Sequence, residues 1–445
     1  MMEKILVRQP SQSIPLTRFS RIAIGMSIGF AALYLSIGLL ILSSDRYRAS
    51  GIHDNDLFFQ ADSRYAVENL TETTSHYKRV HLHPTFVMMF NPLGQVINAF
   101  THQPQLTASI LCALFGGLNV GLLFYFFTLM KLPLRWSVVF AVMFGLSSMQ
   151  LVFSVLPDTY IFSGTGVILL LIAGAKKWKI QYWALITAYL LGITITNVVP
   201  AVLATFFFVF SGRIQQVWEQ RSKFIQYCTL TGGVTVALSI VQKLIYDLWI
   251  FTFLHRVDEE HHFMFIPSSF SEGIHRVIDL AEHFFVFNVV APFSSLVDHS
   301  LREGIELLSF RNSSLLSYSL VGSITVLLWL TLIGMGLHII IKYQLYQLTF
   351  IKVFSLILLF HFTLHFLYGD DLMLYTAHWT AILFGLGAYA LRSIRFFERY
   401  PSTPFIWAIL FCVLLAANNA DLMYDMVMAF HQDSLLKIAS TFYFL

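Results

Sequence analysis

Asp54, Asp56 and Asp62 stand close together in HDNDLFFQADSRY, with Arg64 just behind them. A carboxylate beside an apolar surface loses part of its water. Its pKa rises, and it can then serve as a general base. Asp54-Asn55-Asp56 also reads as D-x-D, a spacing that can offer oxygen ligands to a divalent cation. Plainer roles compete. If 57–70 is helical, Asp56 caps its N-terminus, while Asp62 shares a face with Tyr65, Ala66 and Asn69 and forms an ordinary ion pair.

Further along, VHLHPTF supplies His81, His83 and Pro84, and LPDTY supplies Asp158 and Tyr160. A carboxylate at a helix end in an apolar chain must be hydrated, paired or lining a cavity. YGDDLMLYTAHW carries Asp370, Asp371, His378 and Trp379. An acid pair beside a histidine can bind a sugar or orient a base, and a solvated turn with an interfacial Trp uses the same residues. HRVDEEHH (255–262) mixes acids and histidines as metal sites do, but lacks two well-spaced histidines with a third ligand and reads as a solvated loop. Asn69-Leu70-Thr71 and Asn312-Ser313-Ser314 match N-glycosylation acceptors. Cys112, Cys228 and Cys412 fall in apolar runs, where cysteine packs as a small hydrophobe, and they form neither a disulfide framework nor a CxxC metal pattern.

The elements that position these residues are set by composition. Of 445 residues, 57% are hydrophobic and 12% charged. A globule leaves too much of its area in water to hide that much apolar surface, whereas a bilayer can. A span needs roughly 20 apolar residues. Eleven segments qualify, several of them short: 20–42, 106–130, 136–155, 160–175, 182–196, 198–211, one within 224–254, 318–341, 353–368, 376–391 and 405–417. The first follows a polar start with Lys4, Arg8 and Arg18, and reads as an uncleaved signal anchor. Short, Asn- or Pro-broken spans need protein or a wet cavity to satisfy freed backbone groups, so a polar cavity within the bundle is implied.

With the N-terminus in the cytoplasm, every connection on that face carries Lys or Arg, and nearly all Asp and Glu fall on the other face. Eleven spans then put the C-terminus outside. The outer face holds two long loops, 43–105 and 255–317, and within the first, 86–100 reads as a short juxtamembrane helix. The chain reads as one all-α membrane domain spanning 1–445. It has no phosphate-cradling glycine loop and no basic stripe for nucleic acid.

This arrangement resembles the GT-C superfamily of membrane glycosyltransferases, which includes protein mannosyltransferases and aminoarabinose transferases. Asp54, Asp56 and Asp62 match its acidic position after the first helix. His83-Pro84 with Phe86 resembles the His-Pro motif of bacterial members, and Pro157–Tyr160 the motif capping the third and fourth helices. The adjacent Asp-Glu pair usual in the family is replaced by Asp-Asn-Asp. The resemblance implies a polyprenyl-phosphate sugar donor and inverting transfer on the outer face to a glycan, lipid or protein acceptor. An Asp acts as base, and Arg64, Arg256, Arg276, Arg302 or Arg311 receives the charge on the leaving phosphate. His83, Asp158, Tyr160, Asp370, Asp371 and His378 are then substrate-binding candidates. A bacterial inner membrane suits the short loops and the missing retention signal. A transporter or lipid flippase is the alternative, with Asn119, Gln150, Asn197, Gln242 and Lys243 as its intramembrane polar residues. A scaffold that keeps the fold without activity, and an acyltransferase using His83, rank below it.

Overall fold

The structure is a computed structural model. It describes residues 16–43, 57–74, 80, 82–249, 264–298, 306–400 and 402–429. Asp54, Asp56, His81, Arg256, Arg302 and the segment 255–262 lie outside the described residues.

The protein is predominantly helical, with several helices long and apolar enough to make it a multi-pass membrane protein. Six qualify among the described residues, or seven if one bent pair counts as a single span. The first is α1 (Leu16–Leu42), which at about 1.5 Å per residue outreaches the hydrocarbon layer. Two short helices follow in the first long loop, α2 (Ser63–Thr71) and α3 (Phe86–Thr101). Next comes α4 (Pro104–Leu129), with proline in its first turn, where no N–H is missed. Small residues let α1 and α4 approach closely: a Cβ added at Gly117 or Gly121 would collide with Ser27 and its neighbours on α1.

The bent pair is α5 (Leu134–Gly145) and α6 (Ser148–Val155), which meet at 59°. The sequence reads 136–155 as one span. The break stands because other segments satisfy its exposed backbone. Ser148 and Met149 donate their N–H groups to the carbonyls of Val289 and Asn288, each at 3.1 Å. Asn419 donates to the Leu146 carbonyl at 2.8 Å, and the Tyr34 hydroxyl donates to that of Gly145 at 2.7 Å.

Shorter helices continue the chain: α7 (Tyr160–Lys176), α8 (Ile180–Ile193), α9 (Val198–Val209) and the surface turn α10 (Ile214–Glu219). A 3-10 turn, Ile195–Asn197, breaks α8 from α9. The long helix α11 (Arg221–Tyr246) carries Cys228, which is exposed on the helix surface rather than packed like Cys112 and Cys412.

The described parts of the second long loop form defined elements. Ser269 caps α12 (Phe270–Glu282) by accepting the Glu272 N–H at 3.2 Å, while the Glu272 carboxylate accepts from Ser268 at 2.6 Å. A buried π-turn, His283–Phe287, follows. The antiparallel strands β1 (Ser295–Asp298) and β2 (Glu306–Ser309) then pair Ser295 with Ser309, a small sheet among described residues that are mostly helical. The rest is α13 (Leu320–Lys342), α14 (Thr349–Leu367), the 3-10 helix Leu372–His378, α15 (Thr380–Ser393), α16 (Phe396–Arg399) and α17 (Thr403–Met428).

A candidate active site at the acid-rich end of the bundle

Lys176, Lys342 and Arg392 lie in the last turns of α7, α13 and α15, and Lys243 in that of α11. The candidate residues collect where described parts of the two long loops meet the α6–α7 and α14–α15 connections.

The two long loops are joined by backbone. Phe59 donates its N–H to the Leu308 carbonyl at 2.9 Å, and Leu308 donates to that of Leu57 at 3.0 Å, so residues 57–59 lie alongside β2. This displaces the expected helix start. The helix begins at Ser63 rather than at 57, because Phe59 and Gln60 adopt positive φ (52° and 54°) to turn the chain off the strand. Asp62 becomes the residue before α2, where its side chain makes no cap hydrogen bond.

From there the first loop meets the α6–α7 connection. The Asp62 N–H donates to Asp158 Oδ2 at 3.2 Å. Asp158 is 1% exposed, and its other oxygen accepts from the Thr159 and Tyr160 N–H groups that open α7. Burial first, and the Asp62 charge second, push Asp158 up to about 7.

A second network links the loops to the α14–α15 connection. Gln60 donates to Asp370 at 3.0 Å, and Arg311 donates to the same oxygen at 2.8 Å. Asp371 is buried, accepts from Ser309 Oγ at 2.5 Å and caps the Leu372–His378 turn through the Met373 N–H at 3.1 Å. Its burial raises its pKa, and Arg311 and Ser309 oppose that rise. Asp370 is therefore the partly open member of the acid pair, and Asp371 a tie within the fold. Arg64 pairs with Glu68 at 2.8 Å on α2. Arg276 is buried and donates to the carbonyls of His365 (2.8 Å) and Gly369 (2.6 Å), which ends α14.

His83 lies in the same region, with Nδ1 2.5 Å from the Ile193 carbonyl at the end of α8. Thr85 donates to the Gly192 carbonyl at 3.0 Å, and Ile195 donates to that of Leu82 at 3.1 Å. The His-Pro segment thus fastens the first loop to the break between α8 and α9. Gln242 binds its far side, donating to the Pro84 carbonyl at 2.9 Å. Asn119 donates to the Ile161 carbonyl, Gln150 to that of Gly116 and Asn197 to Ser163, so these intramembrane polar side chains tie helix to helix. Lys243 pairs with Asp247. Asn69, read as a glycosylation acceptor, is 2% exposed and sealed under Asn91, which removes that reading; Asn312 is exposed.

Next to the acids stand three histidines. The Tyr160 ring lies 5.3 Å from that of His378, which lies 5.3 Å from His361. His361 and His365 stand one turn apart on α14 with parallel rings, and His365 stacks on Tyr375 at 4.3 Å. All three are at most 2% exposed, and one nitrogen from each lies within 4.8 Å of the others. Only His378 was singled out from sequence. The signal for the other two was the H-x3-H spacing of HFTLH, which in an apolar run reads as part of a span. An apolar cavity lined by Trp136, Phe140, Leu332 and Trp407 lies at the opposite end of the helices and is no part of this site.

No family model, curated protein or solved structure matches the chain.

Proposed function

We propose that the protein is a GT-C-type glycosyltransferase that moves a sugar from a polyprenyl-phosphate donor to an acceptor hydroxyl, with inversion, at the acid-rich end of the bundle. The observation that carries the reading is the meeting of Asp62 with the buried Asp158 where both long loops converge. Asp158 is buried with both oxygens taken by backbone N–H groups, so the base role falls to the more accessible Asp62.

In this mechanism Asp62 takes the acceptor hydroxyl proton. The acceptor oxygen bonds to the anomeric carbon from the face opposite the phosphate. The bond from that carbon to the phosphate oxygen breaks, and its electron pair leaves with polyprenyl phosphate. Arg311, tied through Asp370 to Gln60 two residues before Asp62, receives the developing charge. The amide N–H groups of Asn119, Gln150 and Asn197 are spent on hydrogen bonds between helices, which favours this reading over transport.

The topology proposed with it has eleven spans: the seven long or bent ones and the four shorter helices α7, α8, α9 and α15. The basic end is cytoplasmic, as the positive-inside rule requires, the acid-rich end faces out, and the membrane is a bacterial inner membrane. The test uses purified protein in nanodiscs with a panel of polyprenyl-phosphate sugars and acceptor-containing membrane extract. Release of polyprenyl phosphate from one donor is the expected result. Folded protein that neither binds nor turns over any donor overturns the proposal in favour of transport or a scaffold role.

A further inference from the structure

We propose that His361, His365 and His378 form a buried metal centre that takes one zinc-class divalent ion on three imidazole nitrogens and leaves its fourth position open. The inference does not depend on the glycosyltransferase reading.

Three observations carry it. The first is convergence. The candidate donor atoms lie within 4.8 Å of one another, and among the described residues these three form the group that could hold an ion. Tetrahedral zinc with bonds near 2.0–2.1 Å sets its ligands roughly 3.3 Å apart, so modest ring rotations complete the site. The second is unmet bonding. Both nitrogens of His361, both of His378 and Nε2 of His365 are buried with no hydrogen-bond partner. Packing alone would leave five ring nitrogens without the partners they have in water, whereas a metal engages one on each ring. The third is support behind the ligands. His365 Nδ1 lies 3.3 Å from the Tyr368 carbonyl, the arrangement that fixes a ligating imidazole's tautomer and frees Nε2. Arg276 clamps the His365 and Gly369 carbonyls at the same corner. Trp379, which follows His378, stacks on Phe284 at 4.5 Å and 13° and donates to the Phe284 carbonyl at 3.2 Å.

The ligand set selects the metal class. Neutral imidazoles with no carboxylate suit zinc, cobalt, nickel or copper and disfavour magnesium and calcium, which want oxygen. The H-x3-H pair on one helix face with a third histidine from a following turn is the pattern of a site with an open position, which takes water or a substrate oxygen. Tyr160, next but one to Asp158, has its ring 5.3 Å from that of His378.

The test uses the full chain, prepared without a histidine tag and stripped with chelator, then titrated with Zn²⁺ and separately with Co²⁺. One equivalent of each should bind, and the cobalt form should show tetrahedral d–d absorption. His361→Ala, His365→Ala and His378→Ala should each weaken binding by more than the roughly 10–100-fold lost when only a supporting group is removed. His338→Ala, at an exposed position on α13, should leave it unchanged. His378→Cys guards against variants that merely misfold. It should keep one cobalt and add a thiolate-to-cobalt charge-transfer band absent from the wild type. Folded wild type that takes up no stoichiometric zinc or cobalt overturns the proposal. So does binding that survives all three alanine substitutions, or a cobalt-loaded His378→Cys variant without the new band.

Discussion

Asp158 keeps its proton better in the folded protein than an ordinary aspartate does, because it is buried and stands beside the Asp62 charge. An acid whose pKa is higher folded than unfolded favours the native state at low pH. That advantage declines as the pH climbs from about 4 toward the folded value and is gone above it. With the folded value near 7, the decline is on the order of 4 kcal/mol. Asp158→Asn removes this slope while keeping an oxygen for the Thr159 and Tyr160 N–H groups. Thermal unfolding in detergent should therefore show wild type losing more stability than the variant between pH 5 and about 7.5. Parallel curves would contradict the assignment. At this scale the sequence was partly legible. Asp62, Asp158, Tyr160, Asp370 and His378 stood out because charged or polar residues at the ends of apolar runs need a reason. His361 and His365 did not, since an imidazole inside an apolar run has no local mark of the neighbours it will meet. In the structure the Asp371 carboxylate is buried and caps the Leu372–His378 turn.

Helix packing accounts for how the site is held. Gly117 and Gly121 of α4 press against Ser27 and Ala31 or Ala23 of α1, with no room for a Cβ. Gly121→Val should force the two helices apart and cost about 1–3 kcal/mol, read as a lower midpoint in denaturant or on heating. An unchanged midpoint would mean that this contact is not close. The α5–α6 break offers a second check. The Asn419 side chain donates to the carbonyls of Leu146 and Val289, both at 2.8 Å, and its oxygen accepts from the Ala291 N–H at 2.9 Å. Asn419→Leu leaves these groups unmet in a dry interior and should cost about 2 kcal/mol or more, seen as thermal destabilisation together with faster proteolysis near the break. Most of the apolar segments form helices near their expected edges, but 136–155 is broken in two, 376–391 becomes helical only from Thr380 and 405–417 runs on to Met428. The break was hidden because the groups that satisfy it come from residues 288, 289 and 419, far away in the chain. The β2 pairing with 57–59 was hidden for the same reason, and it moved the start of α2.

The proposed topology separates the charges, with basic connections at one end and both long loops at the other. That separation was readable from sequence because each misplaced helix would invert every later loop. In a variant lacking Cys112, Cys228 and Cys412, a membrane-impermeant maleimide should label cysteine placed at exposed Asn312 in intact cells, and cysteine placed at Lys177 only after permeabilisation. The reverse pattern would put the acids in the cytoplasm and remove the proposed outer-face chemistry. The central claim is that Asp62 is the base of a sugar-transfer centre completed by Asp158. Its most direct test is the single-turnover rate of donor cleavage in nanodiscs by wild type and Asp62→Asn, measured alongside donor affinity. The claim predicts a rate lowered by roughly 10²–10⁴-fold with affinity nearly unchanged. A variant that turns over donor at the wild-type rate would contradict it.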